Sequence, residues 1–185
     1  KIPASLDKAS GMLSCRESSM QACHLWRARW VFYPFNIEQN DLFRSFLILY
    51  EINPQVSAHA FIDHEETWQY LPWDHRGWHA GGSANNTHIG VVMVEPPGHR
   101  SVGNRLVDYD SIRNAAFFKS VYERTISLAV VLSRMYNFNH ENIISHNEGG
   151  RQGIAAHSQD VEHWFPYHNV SMDTMREEVR KGLGL

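Results

Sequence analysis

The sequence of 185 residues predicts an α/β fold in which helices cover one central β-sheet. Residues 89–94 form a nearly continuous apolar run, which is typical of a central strand covered on both faces. Residues 110–136 carry apolar side chains at helical spacing, and Ser171 can cap a further helix near the C-terminus. Strands and long helices thus share one chain, whose length fits a single domain.

The first 53 residues give few structural signals. Residues 30–33 have strand composition, and Pro34 is expected to end that strand. Asp41 can cap a short helix that carries apolar residues at helical spacing. Asn53 and Pro54 then mark a turn.

The middle of the chain has strand patterns. Residues 56–62 alternate in polarity, which predicts a half-buried strand with histidine on one face. Residues 67–71 are the predicted partner strand, and composition places a loop at residues 81–86. Residues 142–145 predict a short strand before a loop rich in glycine and histidine.

Two helices are predicted in the second half of the chain. The first covers residues 110–136, with Asp110 or Ser111 as its cap. Its inward stripe consists of Phe118, Tyr122, Ile126, Ala129, Leu132 and Tyr136. The helix after Ser171 is expected to face inward through Met172, Met175, Val179 and Leu183.

Composition limits the class of function. The formal net charge of −3 argues against a nucleic-acid partner, because phosphate binding depends on Lys and Arg. No apolar run approaches the roughly 20 residues that span a bilayer, so no membrane partner is expected. Cys15 and Cys23 form neither a disulfide framework nor a CxxC zinc knuckle. Histidine, the commonest metal ligand, is abundant, with twelve residues.

The segment from His146 to Asp160 has the residue types of a metal site. His146 follows the short strand, which would fix its imidazole, and Asp160 returns after a glycine-rich loop. Two such ligands, a third ligand and a water make the open tetrahedral site of a catalytic zinc. From this spacing alone, a surface loop with scattered polar residues remains the alternative interpretation.

Five sequence segments carry a resemblance to a known family. They are Ser57-Ala58-His59, Trp78-His79-Ala80-Gly81, Asn85-Asn86-Thr87-His88-Ile89-Gly90-Val91, Ser145-His146-Asn147-Glu148, and the finish from Gly153-Ile154-Ala155 to Asp160-Val161-Glu162-His163-Trp164-Phe165. In this order they resemble the type 2 N-acetylmuramoyl-L-alanine amidases, whose fold is shared with peptidoglycan recognition proteins and phage lysozyme-like amidases. They are most similar to amidases of clostridial and prophage type. The resemblance covers roughly residues 54–180, so residues 1–53 are a poorly matched N-terminal segment and residues 54–185 the catalytic part of the same domain.

The resemblance implies a mixed sheet flanked by helices, with a zinc-lined groove. It implies Zn²⁺ as cofactor, peptidoglycan as partner, and cleavage between the muramoyl lactyl group and L-Ala. Such a protein would act at the bacterial cell wall, and we expect a monomer. By position, His146 matches the family's second zinc ligand and Asp160 its last ligand. Trp78, His79 and Asn86 resemble the substrate-binding wall of the groove, where an aromatic face packs on sugar.

The sequence departs from the family pattern at three positions. The first zinc ligand is normally a histidine after an early apolar strand, and here only His24 lies near that window. Val92 stands where such members have a glutamate, and Glu95 is a weak catalytic substitute because an odd shift turns it to the opposite face. The family often has a basic residue or histidine two places before the last ligand, where this chain has Ser158. His157, one place earlier, is the candidate for the transition-state donor.

Two other functions are compatible with parts of the sequence. A catalytically impaired module that only binds peptidoglycan would explain Val92 and the missing histidine motif. A His-Asn-His nuclease would use His146, Asn147 and His157, but the net charge and the remaining motifs argue against it. For the unmatched N-terminal segment, both a frame error upstream in the coding sequence and divergence with loss of the metal are open.

Overall fold

The computed structural model describes residues 57–102 and 105–185 in full and the backbone of Arg29–Asn36. His24, the helix predicted after Asp41 and the turn at Asn53 lie outside the described residues.

The described chain contains seven strands and three α-helices. The strands are β1 (Arg29–Asn36), β2 (Ala60–Ile62), β3 (Thr67–Gln69), β4 (His88–Glu95), β5 (Arg100–Val102), β6 (Arg105–Val107) and β7 (Ile143–Ser145). The α-helices are α1 (Ala115–Tyr136), α2 (His146–Arg151) and α3 (Met172–Leu183). Short 3₁₀ turns cover Ser83–Asn86, His140–Asn142 and Phe165–His168.

The central sheet has five strands in the order β3-β2-β4-β1-β7. β4 pairs in parallel with β2 and β1, β1 pairs in parallel with β7, and β3 is antiparallel to β2. β5 and β6 form a separate antiparallel ribbon. The predicted α/β fold with a mixed sheet flanked by helices is therefore confirmed, and β1 shows that part of the N-terminal segment belongs to the same sheet.

The two faces of the sheet are covered differently. Val91 and Met93 of β4 join the main core with α1, α3 and residues 161–165. On the other face, Ile144 packs with Ala80 and Ala84 and with the loop around Ile154 and Ala155, which form a second small cluster. All eight residues of β4 are buried, as the continuous apolar run predicted.

Several local predictions were wrong, among them the loop predicted after residue 145, which begins with α2, and the inward position of Tyr136, which is exposed. β1 continues through Pro34 to Asn36; beyond Phe32 it pairs only with β4 among the described strands, so a proline is tolerated as at a sheet edge. The strand predicted at residues 56–62 is regular only at Ala60–Ile62, and most of it is buried on both faces because the turn around Trp78 and His79 covers its outer side.

The helix predicted over residues 110–136 begins later, at Ala115. Asp110 instead accepts hydrogen bonds from the backbone N–H groups of Ile112 and Arg113 in the preceding turn. Ser171 caps α3 as predicted, by accepting from the N–H of Thr174 at 3.1 Å. In the part of the chain that the structure describes, no helix is both long and apolar enough to cross a membrane.

Candidate functional site

His146 is the first residue of α2, directly after β7. Ser145 caps this helix, because its hydroxyl accepts from the N–H of Glu148 while the Glu148 carboxylate accepts from the N–H of Ser145. Arg176 of α3 holds the same carboxylate at 2.9 Å and donates to the carbonyl of Ile143. The strand end, the cap and α3 together fix the position from which the His146 imidazole projects.

The structure brings His146 and Asp160 together. Nδ1 of His146 lies 3.0 Å from Oδ2 of Asp160, and the two side chains are 10% and 25% exposed. The pair lies at the carboxyl end of β7, where open α/β sheets commonly place their ligands. A buried imidazole and a partly exposed carboxylate thus meet at the expected edge of the sheet.

Residues 159–165, here called the return segment, are attached at several points. Glu162 accepts from Ser145 and Asn147, and Trp164 is fully buried and donates from Nε1 to the hydroxyl of Tyr109 at 2.7 Å. The Tyr109 hydroxyl in turn lies 2.6 Å from Nε2 of His168. Burial raises the pKa of Tyr109 to about 12, so the hydroxyl stays protonated and can donate to that nitrogen.

The described donors fit zinc only in part. Imidazole nitrogen and carboxylate oxygen are zinc ligands, and a tetrahedral ion would hold two such atoms about 3.3 Å apart, close to the 3.0 Å observed. No group of three or more His, Cys, Asp or Glu side chains suited to a metal occurs within residues 57–102 and 105–185. The sequence of β1, RWVFYPFN, offers none of these residue types, and its pairing with β7 ends with Phe32 beside Ser145, the residue before His146. A third ligand must therefore come from elsewhere, and His24 lies outside the described residues.

Glu95 lies on the opposite side of the sheet from Val92. It follows Val91 and Met93 on the core face of β4, is 3% exposed, and accepts from His163 at 2.6 Å and from His99 at 2.7 Å. Burial lowers the pKa of His163, but the hydrogen bond and charge of Glu95 outweigh this effect and raise it. Nδ1 of His163 also lies 3.2 Å from the carbonyl of Gln159, so both ring nitrogens face acceptors. This arrangement makes Glu95 the partner of two imidazoles and leaves neither of its oxygens turned toward a substrate.

His157 is exposed on the loop that precedes the return segment. Its backbone packs against α2, since a side chain added at Gly150 would come within 3.4 Å of the His157 Cα. The imidazole is therefore carried on a fixed stretch of backbone, three residues before Asp160.

His79 is a buried part of the wall and does not face solvent. Nε2 of His79 lies 3.0 Å from the carbonyl of His88, and a Cβ at Gly90 would lie 2.4 Å from the His79 ring. Glycine is required at position 90 because the imidazole packs directly on the strand. Burial, followed by the charge of His59, lowers the pKa of His79 to about 3, and His146 contributes to the same shift.

Trp78 and Asn86 lie on the surface next to this wall. Trp78 is 48% exposed, and the guanidinium of Arg76 stacks on its ring at 3.6 Å. Asn86 accepts from Nε of Arg76 at 2.5 Å, while Oδ1 of the neighbouring Asn85 accepts from two backbone N–H groups of the turn. Trp78, Arg76 and Asn86 thus form an exposed aromatic and cationic platform.

Sequence reasoning did not single out Arg76 or Glu162. Arg76 stands two residues before Trp78, a spacing that permits stacking across a turn. Glu162 stands two residues after Asp160, but its partners Ser145 and Asn147 are distant in sequence and reveal nothing before the chain is folded.

Several solved structures share this fold. The hydrolase AmiA of Staphylococcus aureus, solved with its ligand, aligns with a TM-score of 0.67 at 15% identity, over 84% of this chain and 72% of that one. The catalytic domain of XlyA aligns with a TM-score of 0.56 at 19% identity, over 82% and 84% of the two chains. A mutant endolysin from Bacillus subtilis gives 0.56 at 18% identity, over 83% and 88%. At these identities the likeness shows the fold.

The family assignment comes from the sequence model. No curated protein matches the chain. The family model described as N-acetylmuramoyl-L-alanine amidase matches residues 14–164. The match begins well before residue 54, where the motifs placed its start, and it includes β1 in the centre of the sheet. The chain belongs to the N-acetylmuramoyl-L-alanine amidase family, whose substrate is peptidoglycan.

Proposed function

We propose that this protein hydrolyses the amide bond between the muramoyl lactyl group and the L-Ala of the stem peptide. The observation that carries the proposal is the approach of His146 Nδ1 and Asp160 Oδ2 to 3.0 Å at the carboxyl end of β7. Both residues were selected from the sequence by their match to the family's ligand positions, fourteen residues apart. A zinc-dependent amide hydrolase needs a converging N/O donor set of this kind.

The residues proposed to hold the metal are His146, Asp160 and His24. His146 and Asp160 lie among the described residues and approach each other. His24 is proposed as the third ligand because the early strand β1 contains no histidine. When bound, zinc supplies a Lewis acid for the scissile carbonyl and activates the attacking water. Without the metal, Nδ1 of His146 and Oδ2 of Asp160 hold each other in place at 3.0 Å, and the same two atoms would bind the ion.

Proton transfer is assigned to His157 and not to Glu95. His157 is exposed on the loop leading to Asp160, whereas both Glu95 oxygens are bound by buried imidazoles. A positioned histidine can donate a proton to the leaving amine near neutral pH. Val92 offers no carboxylate and is buried, so the proton donor is assigned to a histidine.

Substrate binding is assigned to the platform of Trp78, Arg76 and Asn86. The exposed indole offers a face for a sugar ring, and Arg76 offers charge for the carboxylates of the stem peptide. His79 supports the platform from below through its buried contacts. We further propose that the protein acts at the cell wall as a monomer, without a membrane or nucleic-acid partner, in keeping with its net charge of −3.

The proposal is tested by incubating purified peptidoglycan with the protein and identifying the released fragments by mass spectrometry. We expect stem peptides with a free N-terminal L-Ala, no release after chelation, and recovery when zinc is added back. His146→Ala should lower the release by about a thousandfold, because several kcal/mol of transition-state stabilisation depend on this site.

The matched control is His75→Ala, since that side chain is 62% exposed, lies 3.2 Å from the exposed Asp74 and should leave the rate unchanged. Release of sugars without free L-Ala would contradict the amidase assignment. Retention on peptidoglycan with no release, with or without zinc, would replace it by the binding module.

A further inference from the structure

Glu162 contacts the residues on both sides of His146. Its Oε1 accepts from the hydroxyl of Ser145 at 2.8 Å, and its Oε2 accepts from Nδ2 of Asn147 at 3.0 Å. One carboxylate thus spans the residue before and the residue after the proposed ligand. This carboxylate belongs to the same segment as Asp160, two residues away.

Two further contacts hold Glu162 and its segment in place. Arg151, at the end of α2, donates to Oε2 of Glu162 at 3.1 Å. The Asn147 amide donates a second hydrogen to the side chain of Gln159, at 3.1 Å. Both ends of α2 are therefore tied to the return segment through polar contacts, in addition to the His146–Asp160 pair itself.

The backbone between the two carboxylates is in an unusual conformation. Val161 has a φ of +55° and is fully buried. A β-branched residue is rarely found in the left-handed region, which costs roughly 1–2 kcal/mol. This conformation turns the chain sharply between Asp160 and Glu162, and the contacts of Glu162 on one side offset its cost.

We propose that Glu162 is the positioning residue of the candidate metal site. It sets the distance between His146 and Asp160 by fixing both neighbours of the imidazole to the segment that carries the carboxylate. The inference deepens the proposed function and rests on it for its biological meaning, but the geometry exists without metal or substrate. Loss of Glu162 would leave the fold standing and let the two donors separate.

The test compares Glu162→Gln with the wild type in metal-free protein. Glutamine has nearly the same shape as glutamate, but its NH₂ group would face the Asn147 amide or Arg151, which are donors. At least one hydrogen bond of this side chain is therefore lost. The readout is the ring signal of His146 in long-range ¹H–¹⁵N spectra, assigned with His146→Ala. We expect a ring protonated at Nδ1 in the wild type and loss of that signature in Glu162→Gln.

Glu177→Gln is the matched control. Glu177 of α3 is also a carboxylate that binds an arginine through both oxygens, and its side chain is 44% exposed against 26% for Glu162. The bonds described for it reach neither α2 nor the return segment, so this variant should leave the His146 signature intact. An equal change in both variants, or no change in Glu162→Gln, would overturn the proposal.

Zinc binding gives a second readout that is independent of wall hydrolysis. In a competition titration with a chromophoric chelator, Glu162→Gln should bind zinc roughly 10–100-fold more weakly than wild type. If the wild type releases no peptide from walls, the amidase proposal fails, while the ring signal and the titration still decide the role of Glu162. An unchanged zinc affinity beside an active wild type would reject Glu162 alone.

Discussion

The molecule contains two histidine–carboxylate pairs of similar geometry in different surroundings. His146 and Asp160 meet at 3.0 Å with side chains 10% and 25% exposed, whereas His163 and Glu95 meet at 2.6 Å with Glu95 only 3% exposed. The return segment carries one member of each pair. The first pair opens to the carboxyl edge of β7, and the second is enclosed against the core face of β4.

The difference shows why distance alone does not identify a reactive pair. Glu95 has two imidazole partners, His99 and His163, so its charge is neutralised inside the fold. The Asp160 carboxylate is more exposed and can exchange its contact with His146 for a metal ion. We interpret the enclosed pair as a support that fixes the return segment from behind, and the open pair as the site.

The largest expected difference between the pairs is in stability. Glu95→Ala removes the only carboxylate shared by two buried imidazoles among the described residues, and breaking a buried pair costs about 3–5 kcal/mol. Asp160→Ala should cost about 1 kcal/mol because that pair is partly exposed. Urea denaturation of the two variants measures the difference in the free energy of unfolding.

Asp108→Asn is the control for these measurements. Asp108 pairs with Arg100 on the surface, where both side chains are more than half exposed, and its left-handed φ of +66° suits asparagine. Its free energy of unfolding should stay within about 0.5 kcal/mol of wild type. Equal losses for Glu95→Ala and Asp160→Ala would contradict the division into support and site.

The sequence predicted the open pair and missed the enclosed one for physical reasons. His146 and Asp160 could be found from sequence motifs because each belongs to a local pattern. His146 follows a strand end, and Asp160 follows a glycine-rich loop. The contact of Glu95 with His163 joins residues 68 positions apart, and only the fold brings them together. Strand alternation did predict that Glu95 faces away from the side of Val92, and the core position of Met93 confirms this.

The strands and helices show the same limit. The run that became β4 was predicted almost to the residue because burial on both faces leaves a continuous apolar signal. Pro34 was expected to end β1, since the sequence could not show that the neighbouring strand β7 stops first. His79 was assigned to substrate, since nothing local shows that its ring packs on Gly90.

The second expected difference is the response to pH. His79, in the buried turn that packs on β4, has a pKa lowered to about 3, first by burial and then by the charge of His59. Below its ordinary pKa of about 6.5 the unfolded chain binds a proton that the folded protein does not. Stability should therefore be full above pH 6.5 and fall by up to about 1.4 kcal/mol per pH unit on acidification toward pH 3.

His163, in the enclosed pair, has a raised pKa and the opposite sign. Its proton is bound more tightly in the folded state, so its contribution is present below pH 6.5 and is lost as pH rises through the folded pKa. The free energy of unfolding should be measured by urea denaturation at pH values from 5 to 8. We expect His79→Gln to lose about 2 kcal/mol less than wild type on acidification to pH 5. If His79→Gln instead reduces the loss of stability at alkaline pH, the neutral form assigned to His79 and the charged form assigned to His163 are the wrong way round.

The smallest expected effect concerns Val161, the turn between the two carboxylates of the return segment. At ordinary positions glycine is less stable than alanine by roughly 0.5–1 kcal/mol, because it loses more backbone entropy. At a φ of +55° alanine retains the left-handed cost and glycine does not. Both substitutions remove the same buried side chain apart from one methyl group, so their difference isolates the backbone. We therefore expect Val161→Gly to be more stable than Val161→Ala by about 1 kcal/mol in urea denaturation.

Val179 provides the comparison site, since it is equally buried but lies within α3. There the order should be reversed, with Val179→Ala more stable than Val179→Gly by about 1 kcal/mol. If alanine is the better substitute at both positions, Val161 carries no strain, and the contacts of Glu162 have nothing to offset. If glycine is the better substitute at Val161 and alanine at Val179, the backbone of the return segment is held in a costly conformation. The enclosed Glu95–His163 pair is then one of the contacts that hold this segment, and with it Asp160, opposite His146.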